Sequence, residues 1–175
     1  MPQRVNVNAS VLVGTFNRTV CVRVDGRGSF QNSVGLKEFV KKMILRGYRD
    51  FLVDLKTCEL MDSTFMGTLA GTALRLKEIG QGGLKVVNAN ARNRDLLGGL
   101  GLDQLFEVSG TEKPVALPEQ MVEVGEPGDG NHKLAALEAH EALVASDPAN
   151  AVKFSDVIEF LKQDLGEDRA DVSES

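Results

Sequence analysis

Apolar and polar positions along this chain follow two rhythms, and each change of rhythm marks an element. "VLVGTF" (11–16) and "TVCVRV" (19–24) are short β-branched runs separated by Asn17-Arg18, which predicts two strands joined by a tight turn. "DGRGSFQNS" (25–33) has the Gly, Asn and Ser content of a loop. In "VGLKEFVKKMILRG" the apolar residues Leu36, Phe39, Val40, Met43 and Ile44 take helical spacing with lysines opposite, and Gly47 is the expected stop. "FLVDL" (51–55) is apolar apart from Asp54, the pattern of a strand covered on both faces. A helix follows from Met66, carried by Leu69, Ala70, Ala73, Leu74 and Ile79 and ended by Gly80. After the "GQGG" loop come a buried strand, "LKVVNA" (84–89), a short helix ending in glycines, and a closing strand near Phe106–Val108. Strands alternating with helices predict an α/β domain over residues 1–113, with a mixed sheet covered by helices.

The pattern then changes. Residues 114–131 carry the Pro, Gly and acidic content of a linker. Two amphipathic helices are expected in 132–165 as a helical hairpin, the first with a thin stripe of Leu134, Leu137 and Val144. The second opens at Asp147-Pro148, a cap followed by a first-turn proline, and carries Phe154, Val157, Ile158, Leu161 and Leu165 on one face. That stripe must be buried on the core domain or on a second copy, or else the hairpin stands alone beside a solvated tail. Residues 166–175 are acidic and expected to be disordered.

Charge supports the division. Residues 1–113 hold 16 Lys/Arg and 11 Asp/Glu, a net +5, whereas residues 114–175 hold 4 and 14, a net −10. The basic residues are scattered and not interleaved with aromatics, which argues against nucleic-acid binding. With 42% hydrophobic and 26% charged residues, the chain has the composition of a water-soluble protein with a real core. No run approaches the roughly 20 apolar residues of a membrane span, and "MPQRVNVNAS" lacks the features of a secretory signal. Cys21 and Cys58 lie in apolar runs and read as reduced core thiols, and the cytoplasm is the expected compartment.

Enzyme signatures fall short. His132 and His140 are eight apart, too far for an i, i+4 metal pair, and no third ligand is near. "LLGGLGLD" imitates a phosphate-binding glycine loop, but its glycines close a helix instead of opening one. Ser63, in "LMDSTFMGTLAG", stands outside any Gly-x-Ser-x-Gly elbow, and residues 1–113 contain no histidine to serve as its base. Asp62-Ser63-Thr64 is a natural helix cap, because these side chains accept the orphan N–H bonds of a first turn. Gly67 and Gly71 fit a helix lying close to a sheet.

"FLVDLKTCELMDSTFMGTLAG" resembles the signature of the STAS domain family, found in bacterial anti-sigma factor antagonists: an apolar strand ending in Asp-Leu, a short loop, then Met-Asp-Ser-Ser-Gly-x-Gly opening a helix. "LKVVNANARNRDLLGGLGLDQLFEV" is similar to the family's late strand, third helix and Gly-Leu-x-x-Leu-Phe ending. The likeness covers roughly residues 8–110 and leaves the C-terminal extension outside. It implies an STAS-like fold and a partner-switching role in transcription regulation. An anti-sigma factor that is also a serine kinase would be sequestered, then released when it phosphorylates Ser63.

By the same resemblance, Asp62, Thr64, Phe65, Met66, Gly26, Arg27 and Ser29 form the partner-binding surface. Two residues depart from the family. Phe65 replaces its glycine and reads either as a hydrophobic anchor or as an obstruction to a kinase. Gly26-Arg27-Gly28-Ser29 replaces the frequent Gly-Glu-Leu-Asp. The resemblance implies no catalytic residue, no cofactor and no metal in this chain, since the nucleotide belongs to the kinase. The alternatives are an STAS scaffold or accessory subunit without the phosphoswitch, a homodimer through the C-terminal helices, and a small serine hydrolase.

Overall fold

The computed structural model describes residues 9–111, 115, 117–124 and 132–173, with side chains to residue 166. In chain order the elements are β1 (Ser10–Phe16), β2 (Thr19–Gly28), α1 (Phe30–Leu45), β3 (Asp50–Asp54), β4 (Cys58–Met61), α2 (Ser63–Ile79), β5 (Gly83–Val87), α3 (Ala91–Gly99), a 3-10 turn (Leu102–Gln104), β6 (Glu107–Val108), β7 (Val122–Glu123), α4 (His132–Ser146) and α5 (Asn150–Ser173). The sheet runs β6-β5-β3-β2-β1-β7, with β4 paired to β2 off that path. β1 pairs antiparallel with β2 and with β7, while β2–β3, β3–β5, β5–β6 and β2–β4 are parallel. The predicted mixed sheet with helices and a helical extension is the fold observed.

Local chemistry explains the joints. Asn17 and Arg18 both take positive φ, 49° and 66°, as a tight turn matched to strand twist requires. Asp54, the polar break in an apolar strand, is 1% exposed. Its Oδ1 accepts from the Lys56 backbone N–H (3.0 Å) and from Asn88 Nδ2 (2.8 Å), so the buried carboxylate is partnered.

One face of the sheet meets α1, α2, α3 and α4. Val20, Val22, Phe51, Val53 and Val86 pack in a single core with Leu36 of α1, Leu69 of α2, Leu97 of α3 and Leu143 of α4. The other face is only thinly covered. Cys21, Leu52 and Val87 form a second cluster beneath Val115, Leu117 and Met121. Among the described residues, linker residues and not helices therefore cover the second face of β3. Both thiols are free and buried, and burial is the main cause that raises their pKa values.

Several expectations differ from the structure, and the expected loop 25–33 already gives way to α1 at Phe30. The Gly-rich stretch 25–28 is not loop: β2 continues through a register shift between Gly26 and Arg27 because β4 supplies a parallel ladder partner. β4 itself, four residues without clear alternation, gives no sequence signal. Within the linker, β7 adds to β1 through Leu12↔Glu123 and Val13↔Val122. Residues 112–114, 116 and 125–131 of that region lie outside the described residues. Finally, α5 runs on to Ser173 through most of the segment expected to be disordered.

The extension does dock on the core, mainly through α4, with the start of α5 adding Asn150, Lys153 and Phe154. Leu143 is 0% exposed, whereas Phe154, Ile158, Leu161 and Leu165 of α5 are only half-buried and lie beside α4. Gly67 faces this helix and not the sheet: a Cβ there would lie 2.3 Å from the Ala139 carbonyl oxygen. Gly71 faces Ala142 in the same way, at an ordinary 3.7 Å.

Candidate functional site

The site is built where two helices begin side by side. Ser29 caps α1: its hydroxyl accepts from the Gln31 N–H (3.2 Å), and Asn32 Oδ1 accepts in return from the Ser29 N–H (2.9 Å). Asp62 caps α2 and also ties the two helices together. Its Oδ1 accepts from the Phe65 N–H and its Oδ2 from the Phe30 N–H, each at 2.8 Å. The Asp62 N–H donates to the Gly28 carbonyl at 2.8 Å, holding the end of β4 against β2. One carboxylate thus satisfies orphan donors at the starts of both helices.

Asp62→Ala should cost about 2–4 kcal/mol, since two cap bonds of about 1–2 kcal/mol each are lost. Asp62→Asn should recover at most half, because an amide has one acceptor oxygen for two converging donors. Urea denaturation measures both, and an Asp62→Asn variant as stable as wild type would show that only one of the two bonds matters.

Ser63 is the first residue of α2 and half-buried. Its Oγ lies 2.9 Å from His140 Nε2, a residue of α4 that is 5% exposed. His140 Nδ1 is 2.6 Å from the Ala136 carbonyl. A carbonyl only accepts, so Nδ1 carries the proton and, in the neutral ring, Nε2 is the acceptor for the Ser63 hydroxyl. The ring also meets Phe154 edge-on, with centroids 5.1 Å apart. The absence of a histidine in residues 1–113 is true of the sequence and misleading about the site, because the extension brings one. Nothing in the spacing of residues 63 and 140 could have signalled this contact.

The other residues assigned to the surface divide into two groups. Arg27 is exposed and Ser29 half-buried, while Gly26 is buried at φ 78°, its N–H bonded to the Thr57 carbonyl at 2.9 Å. Thr64, Phe65 and Met66 point inward, at 8%, 0% and 4% exposure. Phe65 is therefore neither a displayed anchor nor an obstacle beside Ser63. Its ring fills the space over Gly28, where a Cβ would fall 2.6 Å from the ring.

Among the described residues, no group of three or more His, Cys, Asp or Glu is placed to hold a metal ion. No helix among them is long and apolar enough to cross a membrane. A hollow of about 470 Å³ lies between α1, α2 and α4, lined by Lys37, Gly67, Gly71 and Ala139, and Ser63 does not line it.

A family model of the STAS domain matches residues 10–114. No curated protein matches the chain. Among solved structures it is similar to TM1081 of Thermotoga maritima, described as an anti-sigma factor antagonist, at 19% identity and a TM-score of 0.53, covering 57% of this chain and 86% of that one. An anti-sigma factor antagonist from Mycobacterium paratuberculosis is 24% identical with a TM-score of 0.51, over 59% and 86% of the two chains. The phosphorylated Bacillus cell fate determinant SpoIIAA is 18% identical with a TM-score of 0.50, over 59% and 93%. At these identities the likeness is one of fold. All three alignments leave much of this chain uncovered, and the family match ends before α4.

Proposed function

We propose that this chain, which belongs to the STAS domain family, is an anti-sigma factor antagonist that captures an anti-sigma factor/serine kinase and is switched by phosphorylation of Ser63. The observation that carries this reading is the position of Ser63 as the first residue of α2, beside the start of α1, in the family's Asp-Ser motif. Phosphate adds about −1.5 to −2 charges at neutral pH. Two helix N-termini tolerate that charge, since their free N–H groups and aligned dipoles favour anions. The fold would persist, and the cost would fall on a partner surface made by Ser63, Arg27, Ser29 and Asp62. SpoIIAA, the structural neighbour, itself exists in a phosphorylated form.

The test is capture from native lysate by wild type, Ser63→Ala and Ser63→Asp, with mass spectrometry of the captured protein and of residues 60–71. Ser63→Ala should hold an ATP-binding kinase of the anti-sigma type as wild type does, and Ser63→Asp should hold it at least about tenfold less, a difference of ~1.4 kcal/mol. Equal capture by all three would favour the scaffold reading, in which the fold serves without a phosphoswitch. The Ser63–His140 contact gives hydrolysis one specific support. Turnover of a generic ester that is lost in both Ser63→Ala and His140→Ala would establish it. The imidazole is oriented by a backbone carbonyl and not by a carboxylate, so the usual third member of a hydrolytic set is missing.

A further inference from the structure

We infer that the α4–α5 hairpin is a ligand of the chain's own recognition face, docked over Ser63 so that a protein partner must displace it. The inference rests on the reading of Ser63 as the acceptor, and it adds the control of that site.

Three features set the hairpin in place. At the acceptor, His140 Nε2 takes the Ser63 hydroxyl at 2.9 Å. Along α2, Gly67 lets the α4 backbone approach to a distance that no side chain would permit. At the joint between α4 and α5, Asn150 is 1% exposed, and its Nδ2 donates to the Leu100 carbonyl (2.9 Å) and the Leu143 carbonyl (2.8 Å). Lys153 Nζ donates to the Gly99 carbonyl at 2.6 Å. Gly101, at φ 72°, would place a Cβ 2.3 Å from Asp147 Oδ2. The glycine run "LLGGLGLD", which imitates a phosphate loop, thus serves as the seat of this joint. Its carbonyls are freed where α3 ends, and its missing side chains leave room for Asp147.

A kinase must surround the hydroxyl it modifies, and here α4 occupies one side of Ser63 while His140 accepts the hydrogen bond of its hydroxyl. Capture and phosphorylation therefore need an open form. If that form is a fraction f of the population, the apparent affinity for the partner is weakened by 1/f. Partner binding and hairpin docking then compete for one face, each weakening the other by the same factor.

The test is protein-sized access to residue 63. In a Ser63→Cys chain, the rate of a polymer-bearing maleimide divided by that of N-ethylmaleimide reads reach and cancels thiol reactivity, including any activation by His140. Two undocking variants are added separately: Gly67→Leu, which cannot coexist with the α4 backbone, and Asn150→Ala, which empties the joint. The ratio should rise about tenfold or more in both, matching an open fraction below about a tenth in the parent. The buried Cys21 and Cys58 should stay unmodified, which reports that the sheet remains folded. A ratio in the parent already equal to that in urea would overturn masking. So would an unchanged ratio in variants whose residues 132–166 have lost hydrogen-exchange protection. If all three thiols react together in both variants, the hairpin is an inseparable part of the fold and not a cover. No kinase enters this measurement, so masking can fail while capture by Ser63→Ala succeeds, or stand while capture fails.

Discussion

Phe65→Ala should destabilise the protein by about 3–5 kcal/mol, the usual cost of emptying a fully buried phenyl ring. The ring is 0% exposed and packs in the central core, yet it sits at the third position of α2, where the family has glycine. The space it fills exists because residue 28 has no side chain. Where the family often has Gly-Glu-Leu-Asp, this chain has glycine at the third place, and a Cβ on Gly28 would overlap the ring at 2.6 Å. The two departures from the family pattern therefore meet in space: the ring supplied from α2 lies where a side chain on residue 28 of β2 would stand. Gly28→Leu alone should also destabilise, by about 1–3 kcal/mol, through overpacking. Combined with Phe65→Ala it should recover part of the loss, because the leucine occupies the cavity. Urea denaturation of the four proteins gives the coupling energy directly. A loss below ~1 kcal/mol in Phe65→Ala, or simple additivity in the double variant, would show that the two positions are not paired.

That pairing shows what could and could not be read from one dimension. The helices and the β1–β2 turn follow from periods and caps carried by neighbouring residues, so α1, α2, α4 and the tight turn at Asn17-Arg18 were legible. Asp62 was legible as a cap of α2 because the cap acts three residues away. Its second bond, to the Phe30 N–H, spans 32 residues and leaves no local trace. The inward turn of Phe65 depends on a glycine on another strand, and the base-like contact at Ser63 depends on a helix 77 residues later. β4 and β7 were missed for a related reason: neither stretch shows a period of its own, and their ladder partners define them. The site's chemistry was written locally, whereas its accessibility was written in the tertiary contacts.

Leu143→Ala should lower stability by about 2–5 kcal/mol, and where that loss falls decides how the extension works. Leu143 is 0% exposed and joins the main core from α4, so it is the deepest anchor of the hairpin. If the hairpin opens as a separate unit, the lost contact acts on docking alone. Hydrogen exchange would then show α4 opening at a free energy lower by most of that amount, with β3 and β5 keeping their protection. The ratio of open to docked protein would rise about 30-fold for a 2 kcal/mol loss. Access to residue 63 would rise with the open fraction until the open form dominates, and capture of the partner would tighten as that fraction does. If hairpin and sheet form one cooperative unit, protection in α4, β3 and β5 would fall together and capture would weaken as folded protein is lost. The opposite signs expected for stability and for partner affinity are what separate a displaceable cover from an ordinary piece of core. They follow from one physical fact: the helix that completes the core also lies across the serine.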